Sequence, residues 1–543
     1  MKNKICFAFI ILLSLIPVLS LFHTGFPVTH DGQDHVARIA NFYLNLTDGN
    51  LIPRWAPNLN WGYGHPILEF LYPLPSYIAS VFHLLGLSLV NSTKIVFGLG
   101  IISSLPFMYL WLSQFVSRYS ALFGAILYTY APYRFVELYV RGDIGENLAF
   151  PFIPLVLYFL YKLYKDEKIK YLFFAAFSLA GLVLAHNAIS LMVMPFILIY
   201  GLLLLCLSKN KRLFFIRLIF LILLGFSLSA FFWIPALLEG KYTLRNIVTA
   251  GGYIGRFISL NQIIYGPWNY GGSGVFTVQY GIFQWISIVF SPVVIYVFRK
   301  NREKYLLSLI LLIFTILSTL MMLQVSEPIW SRIILLQNFQ FPWRFLAIIV
   351  FSTSVMGALF FELIPKKHNL KLLIIFTLIV LAISSFYWKP KDYQYKSENF
   401  YSGIYKSTTD TGESSPIWSV RGMERIPQAP IQIISGVGIV KELTHTSTYR
   451  LYSINANTST RVLVDILYFP DWTIFVDGEK VPVQFQDPKY RGLMTFEVPV
   501  GSRKIEAVFK DTKIRAYSNY LSLLTFSLII IFFGLRFVKR RIY

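Results

Sequence analysis

Apolar stretches of about 20 residues recur along most of this chain, and no other feature restricts its fold so strongly. At 1.5 Å rise per residue such a stretch spans the ~30 Å hydrocarbon core of a bilayer, so each reads as a membrane-spanning helix. Of the 543 residues, 55% are hydrophobic and only 14% charged, against roughly 25% charged in an ordinary soluble domain. A soluble enzyme, a disordered chain and a coiled coil are excluded. The net charge of +22 would imply nucleic acid only if Lys and Arg gathered on one soluble face. They sit instead in short tracts between apolar runs, as topology signals do, so no nucleic-acid partner is expected. Cys6 and Cys206 both lie in apolar segments and support neither a disulfide framework nor a cysteine metal site.

The run that follows Lys2 and Lys4 reads as a retained first helix, because no small-x-small cleavage site follows it. Further spans are expected near 92–116, 119–131, 147–164, 170–186, 189–207, 213–236, 283–299, 304–323, 343–362, 369–387 and 517–535, about twelve in all. With both termini cytoplasmic, the basic tracts around 118, 162–170, 209–217, 299–304, 366–371 and 536–541 all fall inside, as the positive-inside rule requires. The long connections then fall outside, chief among them 23–91 and 239–282. Within the first, the apolar run from Tyr72 to about Leu89 is expected to be an interfacial or re-entrant helix started by Pro73 and Pro75.

From about 388 the character changes: charges and turn residues rise, and alternating stretches such as Arg461 to Tyr468 appear. Asp477-Gly478 between two such stretches suits a type I′ hairpin, which needs positive φ at both central residues. The expected fold is a membrane all-α bundle of about twelve transmembrane helices over 1–387. An extracytoplasmic β-sandwich-like domain follows over 388–515, then a final transmembrane helix and basic cytoplasmic tail over 516–543.

Ionisable residues concentrate in the outer connections. Thr29-His30-Asp31-Gly32-Gln33-Asp34-His35 with Arg38 follows the first helix. Two acids and two histidines there suit proton transfer or a divalent ion. The same residues also suit a helix start, with Asp31 as N-cap and Asp34 paired to Arg38 four residues on. Pro53-Arg54-Trp55, Trp61-Gly62-Tyr63-Gly64 and Tyr72-Pro73 form a rigid aromatic stretch that fits either sugar stacking or an interfacial belt. Tyr133, Arg134, Glu137, Arg141-Gly142-Asp143 and Glu146 place charges beside the membrane, as a structural ion pair or as phosphate ligands. His186-Asn187 ends one helix at the same face. Lys241 and Arg245 open a long loop that continues into Tyr265-Gly266-Pro267-Trp268-Asn269-Tyr270-Gly271-Gly272-Ser273-Gly274, a lid-like composition. Arg344, in Phe341-Pro342-Trp343-Arg344, reads either as a snorkelling side chain or as a phosphate ligand.

Taken in order, His30-Asp31, Asp34-His35, Arg38, Pro53-Arg54-Trp55, Gly62-Tyr63-Gly64, Tyr72-Pro73-Leu74-Pro75, Arg141-Gly142-Asp143-Ile144-Gly145-Glu146, Ala185-His186-Asn187 and Phe341-Pro342-Trp343-Arg344 resemble the prokaryotic membrane proteins described as 6-pyruvoyl-tetrahydropterin-synthase-related. The C-terminal Tyr468-Phe469-Pro470-Asp471-Trp472, Val476-Asp477-Gly478 and Val498-Pro499-Val500-Gly501 are similar to the end of YfhO-like membrane proteins. Pterin chemistry itself is not expected, since such synthases hold zinc with three histidines and only His445 lies beyond Trp388.

The resemblance implies the GT-C class of integral membrane glycosyltransferases, which take sugar from a polyprenyl phosphate and transfer it, with inversion, on the outer face of the cell membrane. It places Asp31 where that class has its catalytic carboxylate, with Asp34 assisting. His30, His35, Arg38, Arg54, Arg141, Glu146, His186, Lys241, Arg245 and Arg344 are the expected substrate contacts. Asp31, Asp34 and His30 are the candidate ligands if the site holds a divalent cation such as Mn²⁺ or Mg²⁺. The expected partners are the lipid bilayer, a polyprenyl-phosphate sugar donor and an envelope acceptor. A lipid or lipid-linked-glycan transporter, or a non-catalytic envelope scaffold, stands as the alternative.

Overall fold

In the computed structural model, which describes residues 2–271 and 276–542, a helix or helix pair stands at each of the twelve expected positions. Seven of them are long and apolar enough to cross a bilayer, and eight if Lys211–Leu228 and Ala230–Leu238, bent by 74°, count as one span. That count is of the described residues, and among the shorter helices Arg118–Thr129 and Lys170–Ala185 are 12 and 16 residues long, or roughly 18 and 24 Å against a ~30 Å core. Arg118–Thr129 is buried from Ser120 onwards, so neighbouring helices and not lipid cover it. The Tyr72–Leu89 run forms a helix over Leu74–Leu84, with Pro75 in its first turn, and Ser88 caps the next helix, Leu89–Leu112. Residues 272–274 of the glycine-rich loop lie outside the described residues.

Two strands, β1 (Phe26–Pro27) and β2 (Tyr393–Gln394), pair antiparallel and join the chain just after the first helix to the chain just after the helical region. Beyond them lie β3 (Ile431–Ser435), β4 (Gly438–His445), β5 (Tyr449–Ala456), β6 (Thr460–Leu467), β7 (Trp472–Val476), β8 (Glu479–Lys480), β9 (Leu493–Val498) and β10 (Gly501–Phe509). They form a five-stranded sheet ordered β4-β5-β10-β7-β8 and a three-stranded sheet ordered β3-β6-β9, each antiparallel throughout. Along β5 the alternation places Tyr452, Ile454 and Ala456 inward. With Val462 and Val464 of β6, Phe496 of β9 and Ile505 of β10 they share one apolar core. Asp477 and Gly478 turn β7 into β8 with φ of 51° and 85°, the geometry their composition suits.

A strap lies between β2 and β3 and runs back over the first long connection. The Tyr405 N–H donates to the Asn58 carbonyl, the Asn60 N–H to Ser407 and the Trp61 N–H to Tyr405. A buried charged knot fixes the other end of the β unit. The Arg515 guanidinium, at the start of the closing helix, forms ion pairs with Glu69 at 2.9 Å and with Glu239 at 2.6 Å, and all three side chains are buried.

Candidate active site

The segment from Val136 to Arg141 is a π-helical turn that ends at Gly142 in the left-handed region, with φ of 69°. A side chain at Gly142 would place its Cβ 2.2 Å from Thr29 Oγ1, so only glycine lets the two connections meet. They do meet: the His30 and Asp31 N–H groups donate to the Val140 and Arg141 carbonyls at 2.9 and 2.8 Å. Gly145 plays the same part for the aromatic stretch, since a Cβ there would lie 2.0 Å from the Tyr72 ring. With that space open, the Tyr72 hydroxyl donates to Asp143 Oδ1 at 3.1 Å.

Asp143 caps the helix Ile144–Asp166 by accepting the Glu146 N–H at 2.9 Å. Around it stands a buried network. The Arg141 guanidinium contacts Glu137, Glu146 at 3.0 Å and Asp143 at 3.1 Å. Arg344 adds a second guanidinium, 3.7 Å from both Asp143 and Glu146. Tyr133 donates to Glu146, and Arg141 lies over the Trp343 ring. The ion-pair reading of this stretch is thus met twice over, since Arg141 pairs with Asp143 and with Glu146. Burial alone would raise the Asp143 carboxyl, but His186, Arg141 and Arg344 outweigh it and hold Asp143 well below the ordinary range.

Asp31 stands at the N-cap position of helix Gly32–Thr47, yet its side chain does not cap; Thr29 Oγ1 takes the Gly32 N–H instead. Its half-buried carboxylate has no hydrogen-bond partner among the described residues. Burial pushes that carboxyl up, and Asp143 adds to the effect while Arg141 and Arg38 oppose it. The expected Asp34–Arg38 pair does not form, because the strap supplies both residues with other partners. Asp34 accepts from the Tyr405 hydroxyl at 2.8 Å. Arg38 donates to the hydroxyl and the carbonyl of Thr409 and approaches His35 Nδ1 at 3.2 Å.

The fold does not gather His30, Asp31 and Asp34 as a ligand set. His30 Nε2 faces the Tyr270 carbonyl at 2.8 Å and Asp34 is engaged by Tyr405. Among the described residues, the one trio whose ligand atoms lie within 4.8 Å of each other is Asp143, Glu146 and His186. That trio does not suit a divalent ion either. His186 Nδ1 accepts the Ile189 N–H at 3.1 Å, which leaves the proton of a neutral ring on Nε2, directed toward Asp143 at 3.7 Å. Two guanidinium groups already neutralise the carboxylates, and buried Arg134 adds a third positive charge felt by Glu137 and Glu146.

Of the remaining expected contacts, Arg54 belongs to the knot near Arg515, bonded to Asn519 and the Phe231 carbonyl and 3.4 Å from Asp511. Arg245 lies over the Phe70 ring, near Asp410 and Glu413, and Lys241 lies over Tyr242. Neither has an ion pair with the Asp143 network among the described residues. Sequence reasoning missed Tyr405, Thr409, Asp410 and His65. The last two form a buried pair 3.5 Å apart, and no spacing or motif in the strap marks any of them.

A family model of the 6-pyruvoyl-tetrahydropterin synthase related domain, described as a membrane protein, matches residues 68–390. The chain belongs to this family. A protein of Lactococcus lactis subsp. cremoris (strain MG1363) is 27% identical over 366 residues, which are 63% of this chain and 55% of that protein's length. Among solved structures, the mycobacterial arabinofuranosyltransferase AftD is similar over 70% of this chain and 26% of its own, with 16% identity and a TM-score of 0.45. The Archaeoglobus fulgidus oligosaccharyltransferase is similar over 75% and 58%, with 15% identity and a TM-score of 0.41.

Proposed function

We propose that this family member is an integral membrane glycosyltransferase that moves a sugar from a polyprenyl-phosphate donor to an envelope acceptor on the extracytoplasmic face. The observation that carries the reading is Asp31, a half-buried carboxylate with no hydrogen-bond partner among the described residues, raised by burial and set beside a network of arginines and carboxylates. A carboxylate so placed suits a general base: it accepts the proton of the acceptor hydroxyl as that oxygen attacks the anomeric carbon. The bond to the donor phosphate oxygen breaks with inversion, and polyprenyl phosphate leaves. Arg344, tied to Asp143 and Glu146 only at 3.7 Å, is the cation best able to turn toward that leaving charge. Arg141, engaged by three carboxylates, holds the network in place. The strap, bonded to Asp34 and Arg38, and the β unit, bonded through Ser447 to Asp48 and Asn50, would border the acceptor.

The test is release of polyprenyl phosphate by the purified protein from a panel of polyprenyl-phosphate sugars, with Asp31→Asn beside the wild type. Release by the wild type alone supports the reading; equal release by the variant removes Asp31 from it.

A further inference from the structure

Arg256 was not among the expected site residues, and it has neither an ion pair nor a side-chain hydrogen bond among the described residues. Its guanidinium lies 4.5 Å from the centre of the Phe341 ring, and the Arg344 guanidinium lies 5.2 Å from the same ring. Two like charges thus share one aromatic side chain, and partial desolvation and then the Arg344 charge push Arg256, which is still exposed at the surface, below its ordinary range. Arg344 itself keeps a buried Nε–H without a hydrogen-bond acceptor. From Phe341 the aromatic contacts continue inward. Trp343 stacks on Phe341 at 4.9 Å and carries Arg141 on its ring. Phe276 meets Trp343 at 4.9 Å and His30, the neighbour of Asp31, at 6.1 Å.

The surroundings of Arg256 are apolar and exposed. Its turn packs on the short helix Glu327–Arg332 through Tyr253 and Trp330, whose rings stack at 5.7 Å, and pairs Ile258 with Leu323. Ile254 in that turn and Val325, two residues beyond Leu323, are 68% and 69% exposed. Bare aliphatic side chains beside an uncompensated cation suit an amphiphile and not a free polar ion: the chains take the tail and the guanidinium takes the head.

We propose that Arg256 and Arg344, on the shared Phe341 ring, form a binding site for the phosphate headgroup of a membrane amphiphile, with its tail along the exposed aliphatic side chains of Ile254 and Val325. This names the headgroup subsite of the site described above. It rests on that reading only for which lipid occupies it, a lipid-linked sugar donor or an anionic phospholipid.

Binding to delipidated protein in detergent, read by native mass spectrometry without turnover, tests it. The probes are a polyprenyl monophosphate, phosphatidylglycerol, diacylglycerol and inorganic phosphate. The wild type should bind both phosphate lipids above diacylglycerol and above inorganic phosphate. R256Q should weaken both by about tenfold or more, R256K by less, and R118Q, an exposed arginine elsewhere, not at all. Preference for the polyprenyl phosphate identifies the donor as occupant, and preference for phosphatidylglycerol identifies a phospholipid. Unchanged binding by R256Q, or an equal loss in R118Q, overturns the proposal. Asp31→Asn should bind as the wild type does, so failure of the transfer reading and failure of this site are separable.

Discussion

Thr409 accepts hydrogen bonds from Arg38 through both its hydroxyl and its carbonyl, although 371 residues separate the two along the chain. The Arg38 charge beside Asp31 is therefore set by the strap and not by the helix that carries it. Replacing residues 405–410 with Gly and Ser should leave the protein monodisperse in size-exclusion chromatography and abolish donor cleavage. Tyr405→Phe, which removes one bond to Asp34, should cost about 1 kcal/mol in stability and leave activity measurable.

A base must be ionised to act. Because burial raises the Asp31 carboxyl, donor cleavage should fall as pH is lowered and reach half at a pH above the ~4 of an ordinary aspartate. A profile between pH 4 and 8 checks this, and the limb should vanish, with the activity, in Asp31→Asn.

In the proposed transfer, Arg141 and Arg344 would supply the positive charge that a divalent cation otherwise brings. Donor cleavage should therefore be unchanged by a chelator, and calorimetric titration of Mn²⁺ should show no site that Asp143→Asn removes. Arg344→Gln should lower the rate by about 10²- to 10³-fold, the usual cost of losing one preorganised charge partner at an anionic leaving group, with the unfolding temperature little changed.

In the Arg515 knot, burial raises Glu69 to about 8, with Arg515 opposing and Glu239 adding. The folded state then binds more protons than the unfolded one between about 4.5 and about 8, so stability should fall as pH rises through that window and level off above it. Glu69→Gln should flatten the dependence at little cost near neutral pH. Arg515→Met should cost about 3–5 kcal/mol, since it leaves Glu239 buried and unpaired. Thermal unfolding across pH, each variant beside the wild type, reads both.

Local pattern carried most of what the sequence made legible. Helix positions follow from runs of apolar residues, and the Asp477-Gly478 turn follows from two residues that tolerate positive φ. The Arg141-Gly142-Asp143 and Glu146 cluster was legible because charges next to hydrocarbon require partners. Which partners they find was not. Asp34 and Arg38 are spaced to pair on one helix, yet each is claimed by the strap, and only tertiary proximity decides that contest. Arg54 carried no sign that Asp511 and Asn519, far along the chain, would bind it. Which apolar helices cross fully was less legible, because apolar composition marks helices buried among other helices, such as Arg118–Thr129, as readily as helices facing lipid.

The pairing of β1 with β2, and the strap that follows it, also set an order of events during synthesis. At about 5–20 residues per second, the 371 residues between Arg38 and Thr409 take roughly 20–70 s to be made. Through that interval the first long connection is already across its helix and waits with Arg38 unclamped. A chain that stops short of the strap, by truncation or by a stalled ribosome, would lack the closing helix Lys513–Ile542 as well as the clamp on Arg38, and would remain inert.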